Sequence, residues 1–413
     1  MRKKIKKIYL DYSASTPIDK KVLSAMLPYF NNKFGNASSV HGFGQEALKA
    51  VDESRQKIAQ FFNCSFQEII FTSGATEANN LAIFGLIKAL KRKNSKSKLH
   101  VITSSIEHQA VLEPFNALKE QGVEVTILPV KSNGVVDIEE FKRAVKDNTV
   151  FVSLMYVNNE VGSVQPICEI GKLIQKINEI RFKKWQKIEK EIRGDKPLMI
   201  YFHTDATQAI NFFNCDVKHL HVDLLSFSGH KIYGPKGVGA LFVKTGVLFD
   251  AIQLGGHHEN NKRSGTLNVP GIVGLAKAIE LFDKKIIEKS NKKIAKLRQL
   301  LVEKIIKIIP NTILNTDINQ SAPNFAHFSF LRVEGEAILI LLDLAGIAVS
   351  TGSACASNNL KASSVLLAMG IKEEIAHSSI RFTLGKQTTE AEIKQVIAIL
   401  PPIIEKLQNM APQ

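Results

Sequence analysis

The feature that most constrains this chain is an alternation. From residue 44 to 280, stretches with helical spacing of apolar residues take turns with short β-rich runs. Residues 45–61 and 77–90 read as amphipathic helices. Residues 68–71, 99–103, 124–128, 150–156, 198–202, 224–227 and 240–243 read as strands. Strands joined through helices pair in parallel, so this order predicts an α/β unit with a largely parallel sheet between helices. Beyond about residue 270 the texture changes. Long Lys- and Ile-rich helices are expected over 270–308 and 388–408, with strands near 324–330 and 380–384, which is the pattern of a second, smaller α+β unit. A chain of 413 residues exceeds what one compact domain commonly holds, and its 45% apolar content supports a large core.

The longest apolar stretch, 337–349, is broken by Asp343 and reads as a buried helix or a helix-to-strand segment. It falls short of the roughly 18 uninterrupted apolar residues of a membrane span. The basic start, 1–7, runs directly into Y-L-D-Y with no apolar stretch, so no secretory signal is expected. Cys64, Cys168, Cys215 and Cys355 form no C-x-x-C pair and no metal-ligand spacing. Zinc and a disulfide framework are therefore not expected, and a reducing, cytoplasmic setting is. The net charge of +15 is concentrated in 2–7, 91–98 and 172–196. Such charge suits acidic partners, but a solvated Lys-rich surface is the simpler account of it and is preferred. No nucleic-acid motif accompanies it, so direct nucleic-acid binding is not expected. Apolar residues at 170, 173, 174, 177, 180, 185, 188 and 192 predict an amphipathic helix over 170–193 with a basic opposite face.

Five local patterns carry chemistry. In S-F-S-G-H-K, 226–231, Lys231 follows a strand in a small, polar loop, with G-P-K-G behind it at 234–237. A Schiff-base lysine needs such a fixed amine, with hydroxyl and imidazole donors nearby for a phosphate, although a loop lysine is more commonly just solvated. In T-S-G-A-T-E, 72–77, a strand gives way to a helix beginning at about Thr76. Its free N–H groups and positive end suit a phosphate, or Ser73 and Thr76 simply cap the helix. Asp205, in H-T-D-A-T-Q, stands at a strand end. There it can pair with a protonated pyridine nitrogen or serve as a helix cap. His108, in I-E-H-Q-A-V, can stack on an aromatic cofactor and move protons. Cys355, in V-S-T-G-S-A-C-A-S-N-N-L, 349–360, lies among small polar residues, where a travelling nucleophile fits better than a structural thiol.

Taken together and in this order, the patterns resemble the cysteine desulfurase family, which is class-V-aminotransferase-like and pyridoxal-phosphate-dependent, in its iron–sulfur cluster assembly branch. The motifs are S-G-A-T-E, E-H-x-A-V, V-N-N-E-x-G, D-A-T-Q, S-F-S-G-H-K-x-Y-G-P-K-G, R-S-G-T and G-S-A-C. The likeness runs from Y-L-D-Y-S-A at 9–14 to S-I-R-F-T-L-G at 379–385. It implies the aspartate-aminotransferase-like fold (PLP fold type I). A large domain, 17–285, would hold a mostly parallel sheet and a basic helical insert at about 178–196. A small α+β domain, 1–16 with 286–413, would carry the cysteine loop at about 349–362.

By motif match the resemblance implies that Lys231 bonds pyridoxal phosphate. Asp205 would face the pyridine nitrogen, Gln208 the ring hydroxyl and His108 the ring face. Ala75, Thr76, Ser228 and His230 would hold the phosphate, and Thr266 would reach the phosphate of a partner subunit. Asn159 and Arg381 would bind the substrate carboxylate, with Asn36 beside it, and Asn159 also counts among the cofactor contacts. Cys355 would take sulfur from L-cysteine as a persulfide, with release of alanine. The implied partners are a second copy of the chain and an iron–sulfur scaffold or another sulfur carrier, including one that serves tRNA thiolation. The short end of the chain, M-A-P-Q, leaves that partner open.

Four positions depart from the family pattern. Ala37 and Ala362 stand where proline is usual, His257 where a third glycine is common, and Asn260 where arginine is frequent. Backbone strain would follow at His257 if that position required a positive φ. A related lyase or aminotransferase, such as a selenocysteine lyase, would keep Lys231 and Asp205 without needing Cys355 for cysteine turnover. A non-catalytic interaction protein on the same fold would need none of the cofactor positions intact.

Overall fold

A computed structural model describes residues 7–93, 98–188, 196–282, 284–351 and 362–410. After a two-residue strand, β1 (Ile8–Tyr9), the chain builds one large sheet. Its strands are β2 (Ile69–Thr72), β3 (His100–Ser104), β4 (Glu124–Leu128), β5 (Thr149–Ser153), β6 (Tyr201–Asp205), β7 (Leu224–Ser228) and β8 (Gly239–Val243). In space they lie in the order β2-β8-β7-β6-β5-β3-β4. Only β8 runs against its neighbours; the pairs from β7 through β4 are all parallel. Helices cover both faces, so β2, β3, β5, β7 and β8 are buried along their whole length. That double burial explains why these strands read as apolar runs rather than alternating ones. One face packs Phe62, Phe71, Phe202 and Phe227; the other packs Ile70, Leu81, Phe115, Phe151 and Leu241.

The remaining strands are β9 (Thr312–Leu314), β10 (Phe325–Phe330), β11 (Ile347–Ala348) and β12 (Ser379–Thr383). The antiparallel order β12-β10-β9 makes a small second sheet, and β1 pairs in parallel with β11 through Ile8↔Ile347. The core beneath this part draws its buried members from both chain ends: Ile8 and Leu10 pack with Leu301, Phe328, Phe382 and Leu400.

Several expected elements need correction. The helix expected over 170–193 is Ile167–Gln186; it closes at Lys187, whose N–H turns back to the carbonyls of Lys183 and Lys184. Residues 189–195 lie outside the described residues. The long helix expected over 270–308 is two, Val269–Glu280 and Lys284–Ile308. The first ends as the N–H groups of Leu281 and Phe282 tighten onto carbonyls three residues back. The strand expected at 198–202 begins only at Tyr201, which moves Asp205 inside it, and the one expected to reach residue 156 ends at Ser153. The segment 337–349 does contain a helix-to-strand change, Gly335–Leu344 followed by β11. Among the described residues, no helix is long and apolar enough to cross a membrane.

Candidate active site

Because β2, β3, β5, β6 and β7 all run the same way, their carboxyl ends share one edge of the sheet, where the loops of an α/β sheet leave a crevice. A cavity of about 740 Å³ opens there. It is lined by Ala75, Thr76, His108, Asn159, Asp205, Gln208, Ser228, His230, Lys231 and Arg381, ten of the thirteen residues singled out in the sequence.

The floor is the most tightly built part. Asp205 ends β6 and is buried; its Oδ1 accepts the N–H of Thr207 at 2.9 Å and its Oδ2 the amide of Asn79 at 2.7 Å. Both of its oxygens thus serve as acceptors. Lys231 closes the short turn Gly229–Lys231 after β7. A side chain at Gly229 would bring its Cβ within 2.8 Å of the Pro235 carbonyl, so the turn that presents Lys231 requires glycine. The Lys231 ammonium donates to the carbonyls of Ser13 and Ala14 at 2.6 and 2.7 Å. Gln208 donates to the same Ser13 carbonyl at 2.9 Å.

His108 caps the helix Gln109–Glu120, its Nδ1 accepting the Ala110 N–H at 3.0 Å. That bond leaves the proton of the neutral ring on Nε2. Burial lowers the His108 pKa; Asp205 opposes the shift and Lys231 reinforces it. Behind His108, Glu107 is fully buried. Its Oε1 accepts from the Ser104 hydroxyl and from the Met155 N–H at 2.9 Å, while Oε2 has no partner among the described residues. Burial pushes the Glu107 carboxyl up to about 8, so it is the neutral acid at pH 7.

At one end of the cavity, β2 hands the chain to the helix Ala75–Lys93. The first-turn N–H groups of a helix have no acceptor within it. Gly74 turns the chain into the helix at a φ of 155°, and a Cβ there would lie 3.6 Å from the Ser228 hydroxyl. His230 approaches the Ser15 hydroxyl at 3.4 Å, and its pKa is pushed down to about 4 by burial and by Lys231 and Lys236. It is a neutral hydrogen-bonding group at pH 7.

At the other end is Arg381, in β12. Its guanidinium donates to the Asn159 carbonyl and to Asp11 Oδ1, each at 2.8 Å. Its Nε is buried without a partner among the described residues. Asn159 is held by its neighbour: buried Asn158 donates to the Ile106 carbonyl and accepts the N–H groups of Glu160 and Val161. The chain enters and leaves 352–361 beside this rim. Ser350 exchanges backbone bonds with Arg381, and the Ser363 hydroxyl donates to buried Glu160.

Two of the described expected site residues, Asn36 and Thr266, are not brought to the cavity. Asn36 is exposed and accepts the Ser38 N–H in its own turn, and Thr266 is exposed. Cys355 lies outside the described residues. The strain considered at His257 is absent, since its φ is −79°. Left-handed backbone occurs instead at Glu259, Asn260 and Asn261. Sequence reasoning missed Asp11, Asn79, Glu107, Asn158 and Glu160. Asp11, Glu107, Asn158 and Glu160 sat in plain view inside Y-L-D-Y, I-E-H and V-N-N-E, but nothing local revealed their partners.

The family model for aminotransferase class V matches residues 8–183 and 182–396. A cysteine desulfurase IscS from Dictyoglomus turgidum is 44% identical over 407 residues, covering 98% of this chain and 97% of the relative. A solved NifS-like protein is 35% identical, with a TM-score of 0.86 over 97% of this chain and 100% of its own. A structure of SspA in complex with cysteine is 34% identical, with a TM-score of 0.76 over 93% and 100%.

Proposed function

Because the chain belongs to the class-V aminotransferase family and, within it, to the cysteine desulfurases, we propose that it converts L-cysteine to L-alanine and moves the sulfur to Cys355 as a persulfide. The observation that carries this reading is the convergence of Lys231, Asp205, His108 and Arg381 on one cavity. The family uses pyridoxal phosphate, and the residues present fit it. A buried carboxylate faces the cavity from a strand end, an amine stands one strand away, and a helix start with an adjacent hydroxyl lies at one end. Lys231 would bond the cofactor, Asp205 would face its ring nitrogen, and Gln208 and His108 its ring. Ala75, Thr76, Ser228 and His230 would hold its phosphate, with Thr266 supplied by a second subunit. Bound there, the cofactor supplies an electron sink for charge developing on the substrate carbon.

The chain's own residues do the rest. Arg381 and Asn159 orient the substrate through its carboxylate, with Asn36 contributed nearby. The Lys231 amine takes the Cα proton, and the Ser13 and Ala14 carbonyls hold the resulting ammonium. The Cys355 thiolate attacks the substrate sulfur. An S–S bond forms as the C–S bond breaks, its electron pair stays with the carbon, and protonation yields alanine. Among the other thiols, burial pushes Cys64 up to about 12 and raises Cys215 further, which makes both poor nucleophiles at neutral pH.

The domain division proposed is 17–285 against 1–16 with 286–413. Exposed Phe30, Phe34, Phe43 and Leu254 support a homodimer. The persulfide would pass to an iron–sulfur scaffold or another sulfur carrier in a reducing, cytoplasmic setting. The test follows alanine release and protein-bound persulfide from L-cysteine in the cofactor-loaded wild type and in Cys355→Ser. Both products from the wild type and neither from the variant support the reading. Undiminished cysteine turnover by the variant would move the chain to the rival lyase class.

A further inference from the structure

Glu77 is the third residue of the helix Ala75–Lys93, and it is among the residues lining the cavity, beside those proposed to hold a phosphate. An acidic side chain in a first turn favours the helix, but it also places a negative charge near where a phosphate dianion would sit. It further claims the Ser73 N–H, which Glu77 Oε2 accepts at 2.8 Å. Taken alone, Glu77 would work against the site.

Arg263, in R-S-G-T, answers that charge. Its Nε and one terminal nitrogen donate to the two Glu77 oxygens at 2.6 and 3.1 Å, a fork-to-fork pair with both side chains more than four-fifths buried. Burial works against the Glu77 carboxylate, yet the bonds from Arg263 and Ser73 outweigh it and leave the pKa below the ordinary range.

The loop that presents Arg263 is fixed independently. Left-handed Glu259 sends its carboxylate into the interior, where Arg55 binds both of its oxygens at 2.6 and 2.8 Å and the Phe71 N–H donates to it at 2.8 Å. Phe71 belongs to β2, the strand that delivers the helix start. The Glu259 clamp therefore holds the Arg263 loop against the same strand that places Glu77.

We propose that Arg263 is a positioning residue that neutralises Glu77 and so makes the start of this helix able to accept the phosphate of the cofactor. The proposal rests on the reading of Ala75, Thr76 and Ser228 as the phosphate site. It gives R-S-G-T a role within its own subunit, separate from the one proposed for Thr266 across a dimer.

The test is equilibrium binding to the cofactor-free full-length protein, followed by absorbance. Two probes are used: pyridoxal phosphate, and pyridoxal, which lacks the phosphate. Arg263→Gln is expected to weaken pyridoxal phosphate by about tenfold or more and pyridoxal by less than about twofold. The double variant Glu77→Gln/Arg263→Gln removes both charges and is expected to return to within about threefold of the wild type. Wild-type affinity in Arg263→Gln overturns the proposal. So does an equal loss for both probes, which marks a purely structural role, and so does a double variant that fails to recover. If the wild type itself does not prefer the phosphorylated probe, the phosphate reading of the helix start falls, and the role of Arg263 with it.

Discussion

The floor and the rim of the cavity are built differently. On the floor, Asp205, His108 and Lys231 stand at or just after strand ends, and much of what fixes them is local. Asp205 takes the N–H of Thr207 and His108 that of Ala110, each two residues on. The rim is assembled across the whole chain. Arg381 meets Asp11 over a separation of 370 residues and Asn159 over 222. The Asp205 and His108 parts of this floor are set once the large sheet forms, and Lys231 is fixed when residues 13 and 14 reach it. The rim exists only when both chain ends have docked on that sheet. The floor should therefore govern the chemistry, and the rim the capture and orientation of substrate.

The largest expected effect tests the floor. Asp205→Ala should lower kcat for L-cysteine by at least about a hundredfold, because the carboxylate that would face the cofactor's ring nitrogen is lost. A drop confined to KM would break the contrast, since it would make Asp205 a binding residue like those of the rim. Arg381→Lys should do the reverse. An ammonium cannot hold a carboxylate and two protein oxygens in one plane, so KM should rise about tenfold while kcat stays within about threefold. A collapse of kcat with unchanged KM would place Arg381 with the floor.

Asp11 sharpens the same contrast at smaller scale. Asp11→Ala should raise KM about fivefold by freeing the guanidinium from one of its two anchors. Asp11→Asn should restore much of that, because the amide oxygen still accepts from Arg381. Equal losses in both variants would mean that the charge of Asp11, rather than its hydrogen bond, matters, and would point to a direct electrostatic role on substrate.

This division also sets what the sequence could disclose. The strand-then-helix rhythm of 44–280 and the chemistry at strand ends are local properties, so Asp205, His108, Lys231 and a helix start within a residue of Ala75 were legible. The exact start of β6 was not: Leu198 and Met199 are as apolar as the strand proper, and only pairing with β5 and β7 decides where it begins. The partners of Arg381 were illegible for the same reason that the rim is long-range. No spacing rule joins residues 370 apart, and a resemblance that assigned Arg381 to substrate said nothing of Asp11 already bound to it. His257 illustrates the opposite error. A missing glycine suggested strain there, but the turn places its left-handed residues at 259–261, where the buried Arg55–Glu259 pair holds them.

Glu107 supplies the smallest effect on turnover, and it tests whether the floor needs a second charge. The acid is neutral at pH 7, and both of its bonds run to one oxygen, which an amide can reproduce. Glu107→Gln should therefore keep kcat and KM within about twofold of the wild type. Stability is where the change should register. With a folded pKa of about 8, above the ordinary carboxylate value, the wild-type residue stabilises the fold fully only at acid pH. That contribution fades as pH rises through about 8, because the unfolded chain ionises freely while the buried group resists. Melting temperature in the wild type should thus fall between pH 5 and 8 by roughly 2–4 °C more than in Glu107→Gln, which has no proton to lose. Parallel melting curves would mean that Glu107 is ionised in the fold. The floor would then carry two negative charges, and the loss of turnover in Glu107→Gln should approach that of Asp205→Ala.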